Sequence, residues 1–144
     1  MIFPDINLLI YAHVTSLEQH LPAKRWLEET LSNERTCFSW TTITGFVRIT
    51  TSSRAFGQPF TLPEAFLSVD KMLSHSKTVI LTPGADHFDL VKKLAIDSQM
   101  PGLKVTDAHL AAIAIANGVT FATNDRDFRK FDGLKVIYPL NSKV

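Results

Sequence analysis

The sequence predicts an α/β fold in which a mostly parallel sheet is covered by helices on both faces. Short β-branched and aromatic runs alternate with amphipathic helical segments along the chain, the order expected of β-α-β units with right-handed crossovers. The 144 residues are 45% hydrophobic and 20% charged, which suits one core, so we expect a single domain over residues 1–144. We find no internal repeat or low-complexity segment in the sequence.

The first half of the chain predicts two strands followed by helices. Pro22 suits the first turn of an amphipathic helix, and Thr41 or Thr42 can cap the helix that follows the second strand. Pro4 and Asp5 mark the end of the first strand. The predicted elements are a strand at 1–5, a helix or turn at 7–12, a helix at 22–31, a strand at 36–40 and a helix from 43 toward 51.

The second half repeats the alternation. Pro63 suits the start of a helix, the pair Pro101-Gly102 breaks the chain, and Thr106 is a candidate cap for a helix closed by Gly118. The predicted elements are a helix at 62–74, a strand at 78–81, helices at 85–98 and 107–116, strands at 119–122 and 134–137, and a loop with a short helix at 124–131.

Charge and cysteine content narrow the functional classes. The formal net charge of +1 and the isoelectric point of about 7.9 give no overall positive field, so any basic surface for nucleic acid must be local. Cys37 is the only cysteine and lies in an apolar run, which favours a buried thiol and a reducing cytoplasm. The sequence shows no targeting or membrane-spanning segment, so we expect no membrane partner.

Three acids occupy the positions where an open α/β sheet places its functional crevice, beyond the carboxyl ends of the strands. Asp5 ends the first strand, Asp107 opens a helix, and Asp125 follows the strand at 119–122. One such Asp is ordinarily a helix or turn cap. Together they would repel each other unless a cation joined them, and oxygen ligands suit Mg²⁺ or Mn²⁺. Zinc is disfavoured because the five histidines form no zinc-binding spacing.

Four neighbouring residues are candidates for a supporting role. Asn7, Thr123 and Asn124 could hydrogen-bond the carboxylates or a phosphate, although such residues at strand ends more often satisfy turn backbone. Asp127, two residues beyond Asp125, could supply a further acid or simply pair with a neighbour in a solvated turn. His109, two residues after Asp107, would not share its helix face, which argues against a catalytic role.

Three segments together carry a family resemblance. They are Ile2-Phe-Pro-Asp-Ile-Asn-Leu-Leu-Ile-Tyr11, Val105-Thr-Asp-Ala-His-Leu-Ala-Ala-Ile-Ala114 and Phe121-Ala-Thr-Asn-Asp-Arg-Asp-Phe128. In this order and spacing they resemble PIN-domain proteins of the VapC toxin type. The resemblance implies a three-layer α/β/α sandwich with a five-stranded parallel sheet, a Mg²⁺- or Mn²⁺-dependent ribonuclease, a homodimer, and inhibition by a small VapB-type antitoxin encoded alongside.

The resemblance also assigns the acids. The family's first, third and fourth acidic residues correspond to Asp5, Asp107 and Asp125, whereas its second, usually Glu, aligns with Gly45. The segment Gly45-Phe-Val-Arg48 is similar to a branch of these toxins with Gly-Phe-Leu-Arg. Gly45 therefore predicts close packing, room for a substrate phosphate, or a tolerated helix defect. Arg48, on the same helix face, suits a phosphate, while solvated charge is expected for Arg54, Lys104 and Arg126.

Other functions remain open at the level of the sequence. The chain lacks a glycine-rich phosphate loop and a GxSxG elbow, which disfavours nucleotide hydrolysis by a P-loop and acyl transfer. A catalytically impaired PIN-fold module that binds RNA or protein is the leading alternative, because the second acid is absent. A receiver-like domain that accepts phosphate on a strand-end Asp is the third possibility.

Overall fold

A computed structural model describes residues 1–141 and places all five strands in one parallel sheet. The strand order is β3-β2-β1-β4-β5, so β1 and β4 are central neighbours. Every pairing is parallel, which confirms the predicted sheet. The strands are β1 Ile2–Pro4, β2 Thr36–Phe38, β3 Thr78–Ile80, β4 Thr120–Ala122 and β5 Val136–Ile137.

Helices connect the strands in the predicted order. Each parallel connection requires the chain to return across a face of the sheet, and the helices make these crossovers.

Within residues 1–141, no helix is long and apolar enough to cross a membrane. The α-helices are α1 Ile6–His13, α2 His20–Asn33, α3 Trp40–Thr50, α4 Leu62–Leu73, α5 His87–Asp97 and α6 Val105–Asn117, with 3-10 turns at Gly102–Lys104, Arg126–Lys130 and Pro139–Asn141.

Two apolar clusters lie on opposite faces of the sheet. Because side chains alternate along a strand, Cys37 enters one cluster and Phe38 enters the other. Helices α5 and α6 supply most helical residues of the first cluster, and α1 to α4 supply those of the second. This is the predicted three-layer α/β/α sandwich, and the thiol of Cys37 is fully buried within it.

Two predicted helix starts were wrong. Ser39, rather than Thr41 or Thr42, caps α3, because its hydroxyl accepts the backbone N–H of Thr42 while the Thr42 hydroxyl accepts that of Ser39. The second strand accordingly ends at Phe38.

Thr106 is likewise not the cap of α6. A 3-10 turn at Gly102–Lys104 runs directly into this helix, so α6 begins at Val105 with Lys104 at the N-cap position. At the other end Gly118 adopts a φ of +63°, the left-handed conformation that commonly ends a helix. The predicted end of α6 is thereby confirmed.

Candidate active site at the carboxyl edge of the sheet

Strand register brings Asp5 and Thr123 together. Pro4 of β1 pairs with Ala122 of β4, so the residues that follow leave adjacent strands side by side. The Thr123 hydroxyl donates a 2.7 Å hydrogen bond to Asp5 Oδ2, and the backbone N–H of Ile6 donates a 2.8 Å bond to Asp5 Oδ1. Asp5 is therefore also the N-cap of α1, and both of its oxygens are held in place.

Burial shapes the ionisation of Asp5. The residue is 5% exposed, and burial raises its pKa from 3.8 to about 6, although the bonds from Thr123 and Ile6 oppose the change. The negative charges of Asp107 and Asp125 raise this pKa further. Among residues 1–141 no lysine or arginine forms an ion pair with Asp5. The geometry therefore holds a buried carboxyl group beside two other acids without a cation of its own.

The chain after β4 folds back on Thr123. The backbone N–H of Asp125 donates a 3.0 Å bond to the Thr123 hydroxyl, and Asp125 Oδ1 accepts a 2.9 Å bond from the backbone N–H of Asp127. Asp125 thus caps the 3-10 turn Arg126–Lys130. One threonine hydroxyl consequently connects the carboxylate of Asp5 to the turn that carries Asp125 and Asp127.

Lys104 lies among the remaining carboxylates. Its Nζ is 3.2 Å from Asp127 Oδ2, 3.5 Å from Asp125 Oδ2 and 3.9 Å from Asp107 Oδ2. The side chain is also 37% exposed, so Lys104 is in contact with solvent, as expected, and with the acids, which was not expected. The sequence held one signal for this contact: Lys104 and Asp107 are three residues apart, a spacing at which helical side chains meet.

Asp107 lies in the first turn of α6, with its side chain 24% exposed. Burial raises its pKa above the ordinary value, the charges of Asp125 and Asp127 raise it further, and Lys104 acts in the opposite direction. The same contacts raise the pKa of Lys104, first through its hydrogen bond to Asp127. The acids at this edge of the sheet therefore interact electrostatically, and the charges of Asp125 and Asp127 both raise the pKa of Asp107.

The chemistry of these donors fits a hard divalent cation. The available ligands are carboxylate oxygens, and Oδ1 of Asn124 is buried without a hydrogen-bond partner in the described part of the chain. A positive charge already lies between three of the carboxylates, in the form of the Lys104 ammonium. Within residues 1–141, however, no three Asp, Glu, His or Cys side chains lie close enough together to hold a metal ion as they stand. A cation would have to draw the carboxylates inward.

Among residues 1–141, two predicted supporting residues take no part in the hydrogen bonds and ion pairs of this network. Asn7 is exposed, and its side chain takes part in none of the hydrogen bonds within residues 1–141. Arg48 is exposed in the last turn of α3, about 12 Å along the axis from the start of that helix at the carboxyl edge. Phosphate binding by Arg48 therefore stays a prediction, to which the contacts described above add no support.

Gly45 permits close packing. A Cβ added there would lie 2.9 Å from Cδ1 of Ile6, the residue that follows Asp5. Of the three interpretations of this glycine, the structure supports close approach of α3 to α1. The other two contacts of that Cβ, at 3.6 and 3.8 Å from Cγ1 and Cγ2 of Ile6, are of ordinary length, so a larger residue at Gly45 would require the end of the Ile6 side chain to move.

A pair of histidines near the acids links the N-terminal parts of α3, α5 and α6 through hydrogen bonds. His109 Nε2 lies 2.8 Å from the hydroxyl of Thr41, and His109 Nδ1 lies 2.7 Å from His87 Nε2. Burial and the neighbouring His87 lower the pKa of His109. The His109 ring thus bonds to residues of α3 and α5, and none of the hydrogen bonds among residues 1–141 joins it to Asp107. The long-range bonds to Thr41 and His87 had no signal in the sequence.

Comparison with known proteins identifies the family to which the chain belongs. Residues 2–134 match the family described as PIN domain. The chain belongs to the PIN-domain family, which confirms the resemblance carried by its three sequence segments.

Within that family the chain belongs with the VapC ribonucleases. Ribonuclease VapC33 of Mycobacterium tuberculosis is 36% identical over 145 residues, covering 97% of this chain and 99% of that protein. Ribonuclease VapC43 of the same organism is 32% identical over 145 residues, covering 100% of this chain and 99% of that protein.

Solved structures share the fold. VapBC2 from Rickettsia felis, bound to a DNA fragment from its promoter, has a TM-score of 0.69 at 19% identity and covers 95% of this chain and 98% of that chain. DNA-bound VapBC from Salmonella typhimurium has a TM-score of 0.66 at 17% identity, covering 94% of this chain and 96% of that chain. At these identities the likeness establishes the three-layer architecture.

Proposed function

We propose that the protein is a Mg²⁺- or Mn²⁺-dependent endoribonuclease that hydrolyses RNA phosphodiester bonds. The observation that carries the proposal is the convergence of Asp5, Asp107 and Asp125 at the carboxyl edge, where a lysine ammonium already occupies the space between acids. Relatives that are 32% and 36% identical over nearly the full length are named ribonucleases, which supports the same chemistry here.

Asp5, Asp107 and Asp125 would hold the cation, and Asp127 would support them. When bound, such an ion lowers the pKa of a water nucleophile and neutralises charge on the phosphate. Asp5 is preorganised for this role because separate donors fix its two oxygens. Thr123 acts as a positioning residue, since its hydroxyl donates to Asp5 and accepts from the backbone of Asp125.

A small basic surface beside the acids is suited to RNA phosphates. The guanidinium groups of Arg126 and Arg129 lie 5.0 and 5.2 Å from the ring centroid of Tyr138, and both arginines are exposed. Arginine binds phosphate oxygens through a planar pair of donors. We propose that these side chains position the RNA backbone, a contact that does not depend on base sequence.

The test is cleavage of total RNA by purified, partner-free protein with Mg²⁺, Mn²⁺ or EDTA. We expect cleavage with either metal, none with EDTA, and a large loss in Asp5→Asn and Asp107→Asn. Asp70→Asn is the matched control, because Asp70 is an exposed acid on α4, and it should cleave like the unaltered protein. Unchanged cleavage in both site variants would refute the site, and failure to cleave any RNA would favour the binding-module alternative.

We further propose that the protein is the toxin of a type II toxin–antitoxin system, acting in the cytoplasm as a homodimer. Its relatives are VapC ribonucleases, and structures sharing its fold are VapBC assemblies, which supports a small VapB-type antitoxin encoded alongside. Expression of the chain alone should arrest growth, and co-expression of the adjacent small reading frame should restore it. Arrest that persists in Asp107→Asn would contradict a toxicity based on RNA cleavage.

A further inference from the structure

The side chain of Lys104 is surrounded by acids on one side and reaches solvent on the other. Its ammonium lies within 4 Å of Asp107, Asp125 and Asp127, yet the side chain is 37% exposed. Among residues 1–141, the other lysine that pairs with these acids is Lys130, which is 58% exposed and lies 3.9 Å from Asp127 alone. Lys104 is therefore the central cation of the acidic edge, held by a side chain that has solvent to move into.

The position of Lys104 in the chain is otherwise unfavourable. It occupies the N-cap of α6, and its side chain makes no capping hydrogen bond. A helix N-terminus carries partial positive charge, so a lysine there is disfavoured and an acid such as Asp107 is favoured. The nearby carboxylates offset this cost. The interaction that holds the Lys104 side chain at this place is consequently the one with the acids.

A divalent cation bound by Asp107 and Asp125 would meet the same oxygens. Asp125 Oδ2 and Asp107 Oδ2, which such an ion would use, are the atoms within 3.5 and 3.9 Å of the ammonium. An ion bound to these oxygens would lie close to the ammonium, and the two positive charges would repel each other, strongly so where water is partly excluded. The ammonium and the ion cannot both occupy the space between the carboxylates.

We propose that Lys104 is a built-in competitor of the divalent cation. In the metal-free protein its ammonium holds the acidic residues together, and it withdraws toward solvent when the ion binds. Lys104 thereby lowers metal affinity and sets the metal concentration at which the site becomes loaded. The inference rests on the proposed function, because it takes Asp5, Asp107 and Asp125 as the metal-binding acids.

The experiment measures Mn²⁺ binding to the full chain without RNA, by the electron paramagnetic resonance signal of free Mn²⁺. Lys104→Gln should bind Mn²⁺ about tenfold more tightly than the unaltered protein, since a positive charge near the ion is removed. Lys104→Arg keeps the charge and should stay near the original affinity. Lys130→Gln is the matched control, and its affinity should change far less, because Lys130 contacts only Asp127.

A second measurement separates competition from a purely structural effect. Without metal, Lys104→Gln should have a lower thermal unfolding midpoint than the unaltered protein, because its acids lose their shared counter-ion. With Mn²⁺ the difference should shrink or reverse. A structural defect alone would lower the midpoint equally in both conditions.

The possible failures are distinguishable. Equal or weaker Mn²⁺ binding by Lys104→Gln, with binding intact in the unaltered protein, overturns the competition and leaves the proposed nuclease site standing. Absence of Mn²⁺ binding in both proteins overturns the competition and the proposed metal site together.

Discussion

Asp5 shows at the scale of one residue how a functional site costs stability. Its carboxyl group is buried, and no lysine or arginine in residues 1–141 pairs with it. Burial disfavours the charged form, which is why the pKa is raised to about 6. The two hydrogen bonds that fix its oxygens reduce this cost without removing it.

Replacing Asp5 by Asn should therefore stabilise the metal-free protein. The pKa of this carboxyl group is 3.8 in the unfolded chain and about 6 in the folded protein. The folded state is therefore most stable, as far as Asp5 is concerned, below about pH 4, and it loses this stability as the pH rises through 6. A difference of about two units corresponds to at most about 3 kcal/mol near neutral pH. Asn keeps an oxygen for the N–H of Ile6 and removes the charge.

Chemical denaturation in EDTA at several pH values checks this expectation. Asp5→Asn should unfold at higher denaturant concentration than the unaltered protein near neutral pH, and the two should converge near pH 4. A variant that is less stable at neutral pH would show that the charged carboxylate contributes to folding.

Thr123 connects two acids through one hydroxyl, so its removal should disturb both. Thr123→Val leaves Asp5 Oδ2 without a donor and the backbone N–H of Asp125 without an acceptor, and each loss typically costs about 1 to 3 kcal/mol. Thr123→Ser keeps the hydroxyl and is the matched control. We expect Thr123→Val to lose both stability and cleavage, as measured by denaturation and RNA assays, and Thr123→Ser to retain most of each. Equal behaviour of the two would refute the positioning role.

At the scale of elements, helix α3 illustrates what a sequence can and cannot reveal. Its existence and the glycine inside it were both predictable, whereas the neighbour that explains Gly45 was not. Ile6 lies on α1, and its contact with α3 depends on how the two helices cross the sheet. Such distances arise from tertiary packing, which a periodic pattern does not encode.

Packing at Gly45 leads to a prediction about stability. Gly45→Val should destabilise the protein by about 1 to 3 kcal/mol, because the added side chain would overlap Ile6 in a closely packed region. Thr44→Val, at the exposed neighbouring position on the same helix, is the control and should change stability little. The measurement is the thermal unfolding midpoint of each variant, compared with that of the unaltered protein. Equal midpoints for the two variants would mean that the Ile6 side chain moves aside at little cost.

At the scale of the whole molecule, topology explains why the three acids could be expected at one edge of the sheet. In a parallel sheet all carboxyl ends lie at one edge, so acids that follow different strands could converge there, whereas the adjacency of β1 and β4, which brings Asp5 beside Asp125, was not predicted. The start of α6 lies at the same edge because that helix leads back to β4. The contacts of Lys104 could not be predicted in the same way, since they depend on a 3-10 turn that was not expected.

Metal binding should also stabilise the folded chain as a whole. A ligand that binds only the folded state at a hundredfold excess over its Kd adds about 2.7 kcal/mol, or a rise of roughly 5 to 10 °C in Tm for a domain of this size. We expect Mn²⁺ to raise the Tm of the unaltered protein and to have little effect on Asp107→Asn. An equal rise in Tm for both proteins would show that Mn²⁺ binds at a site that does not include Asp107.

The central claim is that Asp5, Asp107 and Asp125 bind one divalent cation at the carboxyl edge of the sheet. Its most direct test is a crystal structure of the protein soaked in Mn²⁺, with the ion located by its anomalous scattering. The account predicts an anomalous peak in contact with carboxylate oxygens of these three residues, and a Lys104 side chain turned toward solvent. A peak bound elsewhere, or a Lys104 ammonium still lying between Asp107 and Asp125 in saturating Mn²⁺, would contradict it.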